Sequence, residues 1–139
     1  MSPEAPSAAE LQANPTVQGA FAAAWADSLV DDAILRHEEG GYIHANAAGD
    51  VVIRRTPPGG RYVLDLSVPP EVSGYFLVAT YHTHPTVIAE GGDPDPSYDD
   101  RKFADESGVP WFVISELGVV YVGPERRVGG LSGPAGYPQ

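Results

Sequence analysis

The run Tyr81-His82-Thr83-His84-Pro85-Thr86-Val87-Ile88-Ala89-Glu90-Gly91-Gly92-Asp93-Pro94-Asp95-Pro96-Ser97-Tyr98-Asp99-Asp100 follows directly on the apolar segment Tyr75-Phe76-Leu77-Val78-Ala79-Thr80. Such an uninterrupted apolar segment reads as a buried strand. His82 and His84, two residues apart, then fall on one face of it. Pro85 closes the strand because it has no N–H to give the ladder. Two imidazoles on one face can reach a single metal ion, and a carboxylate is the natural third ligand. Asp100 supplies one, three residues past Ser97, where a Pro-rich loop gives way to a segment of helical character. Around Zn²⁺, two His nitrogens and one Asp oxygen leave the fourth tetrahedral position open, which is the pattern of a catalytic rather than a structural site.

Each fragment also has a purely structural reading. His-x-His pairs occur by chance on surface strands, and Ser97-x-x-Asp100 matches a capping box, in which Ser and acid satisfy the free amides at a helix start. Their combination favours ligation. The chain has four histidines, two of them inward-pointing neighbours on an apolar strand, and buried imidazoles need partners. Asp99 is the rival to Asp100 as ligand, and the Ser-x-x-Asp spacing favours Asp100.

His82-Thr83-His84-Pro85 followed by Pro96-Ser97-Tyr98-Asp99-Asp100 resembles the signature of the JAMM/MPN+ zinc metalloproteases, the deubiquitinase-type isopeptidases. That family places a glutamate upstream in Glu-x-x-Gly-x-[Leu/Ile/Val], and Glu38-Glu39-Gly40-Gly41-Tyr42-Ile43 fits with Glu38 in that role and Glu39 as the fallback. The similarity spans residues 38–122. Eleven residues separate Pro85 from Ser97, more than the usual eukaryotic spacing, which brings the chain closer to bacterial JAMM-like domains, including those attached to secreted toxin proteins. The resemblance implies a cytidine-deaminase-like α/β fold, a mixed sheet flanked by helices. It implies Zn²⁺ on His82, His84 and Asp100, with Glu38 as general base and Ser97 as hydrogen-bond donor to the oxyanion. The activity implied is hydrolysis of an amide or isopeptide bond in a protein substrate, such as a ubiquitin-like modifier whose extended tail docks along a sheet edge. Two alternatives stand beside it: a secreted effector or toxin domain acting on a host or competitor protein, and a non-catalytic MPN-type binding module.

Working outward, residues 1–14 read as a flexible N-terminal segment with neither the charged nor the apolar part of a secretory signal. Residues 15–122 read as the domain, and 123–139 as a Gly/Pro-rich, poorly ordered tail. The alanine-rich stretch from Pro15 to Leu29 predicts a helix, with Val17, Phe21, Trp25 and Leu29 at steps of four. Gly41–Ala45 and Val51–Thr56 predict a hairpin around an Asn/Gly/Asp turn. Arg61–Val68 alternates as a half-buried strand does, with Tyr62, Leu64 and Leu66 on one face. Ser97–Ser107 predicts a helix with Ser97 at the N-cap, and Trp111–Ser115 and Val119–Val122 a second hairpin. His37 and His44 are open between solvent-facing and functional positions, and Arg126-Arg127 reads as a solvated pair.

The 139 residues make one domain. Without cysteine there is no disulfide and no thiolate ligand, which excludes zinc deaminases of the H-x-E…P-C-x-x-C type. A net charge of −11 argues against nucleic-acid binding and permits a basic partner. No stretch is long enough to span a membrane. The default compartment is the cytoplasm, and export by a route without a signal peptide leaves no local trace. Oligomeric state has no signature in the sequence.

Overall fold

The computed structural model describes residues 3–133. Its centre is a mixed five-stranded sheet in the order β2-β1-β3-β4-β5. Strands β1 (Gly40–Ala45) and β2 (Val51–Arg55) form the expected hairpin, and β1 also runs antiparallel to β3 (Phe76–Thr83). Strand β4 (Trp111–Ser115) lies parallel to β3 and pairs in a second hairpin with β5 (Gly118–Val122). Parallel neighbours need a crossover, and helix α3 (Tyr98–Ser107) provides it. Among the described residues, no helix is long and apolar enough to cross a membrane.

One face of the sheet is covered by α1 (Ala8–Ala13) and α2 (Pro15–Asp27), which bury Leu11, Val17, Phe21 and Ala24 against Ile43, Ala79, Tyr81 and Phe112. Asn14 caps α2 through its side-chain oxygen and Pro15 sits where its missing N–H costs nothing. The buried stripe turns from Phe21 to Ala24 and Ser28, whereas Leu29 lies past the helix end and is 44% exposed. A step of four drifts around a 3.6-residue helix, and the mixed steps of four and three correct it. The other face carries α3, with Ala104 packed against Tyr42, Trp111 and Val122.

Three expectations are corrected. Residues 8–13 of the supposed flexible segment form α1, fixed by a Ser7/Glu10 capping box, with Ala5, Ala8 and Leu11 in the core. Arg61–Val68 is not a strand. It runs as a strap over the α3 face, with Leu66 buried, Leu64 half-buried and Tyr62 and Val63 exposed. In the tail, Leu131 is a core residue and Arg127 is buried, its guanidinium donating to the carbonyls of Leu77 and Gly130 at 2.9 Å each. Residues 134–139 of the tail lie outside the described residues. His44 is buried as well, with Nε2 at 3.1 Å from the Pro70 carbonyl. Burial lowers its pKa, so it serves as a neutral donor that pins the strap's far end.

Candidate metal centre

The β1/β3 register sets the geometry. Gly40 lies opposite His82, and the Thr83 N–H donates to the Glu39 carbonyl. Glu38 precedes β1 by two residues, feels the charges of His82, His84 and Asp100, and lines the same cleft as they do. Cross-strand partners share a face, so Glu38, His82 and His84 point into the α3 side and Glu39 points away. A Cβ on Gly40 would collide with the Tyr81 carbonyl oxygen and come within 2.8 Å of Leu64 Cδ2. Glycine is therefore what lets the strap pass close to the strand just where the histidines emerge.

Helix α3 brings the carboxylate. Ser97 is its N-cap: Ser97 Oγ accepts from the Asp100 N–H at 3.0 Å, and the Ser97 N–H donates to Asp100 Oδ2 at 2.8 Å. The capping box is thus real, and it does not compete with ligation. It fixes the Asp100 rotamer so that Oδ1 lies 3.1 Å from His82 Nε2 and Oδ2 3.3 Å from His84 Nε2. The two Nε2 atoms are 3.2 Å apart. Asp99 is outside this cluster: His82, His84 and Asp100 alone form the group that could hold a metal ion among the described residues.

The donor set fits such an ion. Tetrahedral sites with metal–nitrogen bonds of about 2.0–2.1 Å have ligand–ligand edges of about 3.3 Å, close to the separations found. The tautomer fits too. His84 Nδ1 donates to the Asp93 carbonyl at 3.0 Å, which leaves Nε2 as the nitrogen that would ligate an ion once it gives up its proton, the outer-shell arrangement typical of metal-binding histidines. His82 Nδ1 is buried without a partner, so the ring's polar interaction falls to Nε2.

Electrostatics separate the carboxyl groups. Burial opposes the charge on Asp100, but hydrogen bonds from His82 and His84 outweigh it and hold the pKa well below the carboxylate range. Burial also opposes charge on His84, yet Asp100 and the Asp93 carbonyl raise its pKa. Glu38 has no such donors: burial pushes it up to about 7, with the histidines lowering it only in part. A buried carboxyl poised near neutrality beside an ionised one is the division of labour expected of a proton-transfer group and a ligand. Glu39 is occupied on the other face, accepting from Arg55 at 2.7 Å and His37 Nε2 at 2.5 Å.

No protein-family model, curated protein or solved structure matches the chain.

Glu38, His82, His84, Ser97 and Asp100 all line one cleft of about 880 Å³. Sequence reasoning missed the other half of that cleft. The strap residues Val63, Leu64 and Leu66 and the ring of Phe103 face it. It also missed the Arg55–Glu39–His37 cluster behind the site, which ties β1 and β2 together and reaches α2 through Arg55 and Asp27, 3.2 Å apart. The signal for the latter was an arginine at the end of β2, Arg55, with an acid just before the paired strand.

Proposed function

We propose that the chain is a zinc-dependent hydrolase of amide or isopeptide bonds, of the JAMM/MPN+ type, with a cytidine-deaminase-like arrangement of its sheet and helices. One observation carries this reading: His82, His84 and Asp100 converge at metal-ligand spacing while Glu38, with a pKa of about 7, lines the same cleft within reach of their charges. The helix layer on each face and the α3 crossover that returns Asp100 to the end of β3 support the fold assignment.

Zinc in this site would supply a Lewis acid that acidifies water and polarises a carbonyl. The chain's own groups supply the rest. Glu38, ionised in a large share of molecules at neutral pH, accepts the proton of the attacking water and returns it to the leaving amine. Asp100 is held ionised by His82 and His84 in the metal-free protein, and as a ligand it would bind in that same ionised form. Ser97 Oγ uses one lone pair on the Asp100 amide and keeps its hydroxyl hydrogen, which it can donate to the developing oxyanion. A protein substrate follows from the resemblance, either a ubiquitin-like modifier or, for an exported effector, a host or competitor protein. The net charge of −11 suits a basic partner.

The test is metal content by plasma mass spectrometry on the purified protein and on the His82→Ala/His84→Ala variant. About one zinc per chain, lost in a variant that stays folded, is the expected result. No bound metal after zinc is added back would overturn the reading. Zinc without turnover on isopeptide-linked probes or peptides would leave a binding module.

A further inference from the structure

The cleft continues past the metal centre into a surface that no catalytic step uses. From His82 the wall runs to Trp111, ring centroids 6.3 Å apart, and on to Phe103, a further 6.0 Å away. The Trp111 indole N–H is already donated to Ser107 Oγ at 3.0 Å, so its polar edge is satisfied within the protein and what remains is apolar. Val63, Leu64 and Leu66 of the strap line the same cleft, with Leu66 buried in the core cluster that holds Trp111 and Leu64 packed against that cluster. Phe103 is 46% exposed and Val63 69% exposed, an unusual exposure for large apolar side chains bordering a concave site. The rim has the opposite character. Asp65, Asp99 and Glu106 line it and, among the described residues, Arg61 is the one Lys or Arg of the lining, its guanidinium engaged by the Ala33 carbonyl.

We propose that this groove binds a peptide segment carrying a bulky apolar side chain, aromatic or branched aliphatic, at the residue next to the cleaved bond, with a lysine or arginine beside it. The apolar side chain fills the space between Phe103–Trp111 and Leu64. The cation meets the rim carboxylates. A tail of glycines leaves that apolar surface uncovered and loses its contribution. The position of the cleaved bond rests on the hydrolase reading, whereas the binding preference does not.

The probes are three acetylated hexapeptides: Ala-Lys-Phe-Lys-Ala-Ala, the same with glycine for phenylalanine, and the same with glutamate for both lysines. Each is titrated into zinc-loaded Glu38→Gln protein and followed by the indole N–H resonance of Trp111, with Trp25 on the opposite face of the sheet as internal control. The phenylalanine peptide is expected to move the Trp111 signal and to bind at least about tenfold more tightly than the glycine peptide, with an advantage over the glutamate peptide that shrinks in added salt. Phe103→Ser, at an exposed helix position, is expected to erase the preference for phenylalanine while zinc content is unchanged. Equal affinity for phenylalanine and glycine peptides, tightest binding of the glutamate peptide, or no binding at all would overturn the proposal. The two readings separate in the wild-type protein. Binding as expected with neither peptide cleaved removes the hydrolase and keeps the groove; equal cleavage of phenylalanine and glycine peptides does the reverse.

Discussion

Glu38 and Ser97 are where single atoms decide between chemistry and architecture. Glu38 has a folded-state pKa of about 7 against an ordinary 4.5, because burial disfavours its charge. The folded protein therefore holds this proton more tightly than the unfolded chain does. Stability from this group is fully present below about pH 4.5 and is lost as pH rises toward and through 7. In the metal-free protein Glu38→Gln should accordingly be more stable than wild type at pH 8, by up to about 3 kcal/mol, and nearly equal at pH 4. Urea unfolding at the two pH values checks this, and a difference that does not change with pH would remove Glu38 as a buried titrating group. With zinc bound, the same variant should lose turnover by about 10²–10⁴-fold and keep its metal. Ser97→Ala tests the other double role. Losing the cap should cost about 1 kcal/mol, while losing an oxyanion donor should cost about 10²–10³ in turnover. A variant with lowered melting temperature and unimpaired turnover would reduce Ser97 to a helix cap.

The elements that carry the ligands differ in how far sequence discloses them. The His82/His84 face of β3 was legible because a period of two needs only local residues, and the α3 start because a capping box does too. The strap was not. Arg61–Leu66 alternates like a strand, but it joins neither edge strand, β2 or β5, and instead lays Leu66 and Leu64 against the core on the α3 face. The loop between β3 and α3 was legible only as a loop, yet it orients a ligand. Its 3-10 turn, Ile88–Glu90, ends at Gly91, with φ 87, and Gly92 follows, folded so tightly that a Cβ there would collide with the Thr86 carbonyl oxygen. That fold-back delivers the Asp93 carbonyl to His84 Nδ1. Gly92→Ala should push the turn outward and release the imidazole. The expected result is a zinc affinity about 10–100-fold weaker, the range for lost outer-shell partners, with little change in melting temperature because the turn buries no core side chain. Chelator competition and thermal unfolding measure the two quantities, and unchanged affinity would show that His84 needs no help from the loop.

At the scale of the whole molecule, the two chain ends close over the core that holds the site steady. The Ala8 N–H donates to the Glu125 carbonyl and the Leu131 N–H to the Pro3 carbonyl, so α1 and the segment after β5 are mutually anchored. Gly- and Pro-rich composition pointed toward disorder here, since nothing local reveals that Arg127 will find acceptors on a strand 50 residues away. The guanidinium donates to Leu77 and Gly130 and, at 3.3 Å, to Ser132, and lies 5.4 Å from the centre of the Phe76 ring. Leu77 is the second residue of β3, whose other end carries His82 and leads into His84, so this arginine braces that strand from its far end. Hydrogen bonds from a charged donor contribute about 1.5–3 kcal/mol each, and an orphaned buried carbonyl adds a further cost. Arg127→Ala should therefore destabilise the protein by about 3 kcal/mol or more, whereas Arg126→Ala, whose partners Glu4 and Glu125 are exposed, should cost under about 1 kcal/mol. Denaturant unfolding of both variants decides it: equal, small losses would return the pair to the solvated surface, and the predicted asymmetry would make the C-terminal segment part of the domain that presents the candidate metal centre.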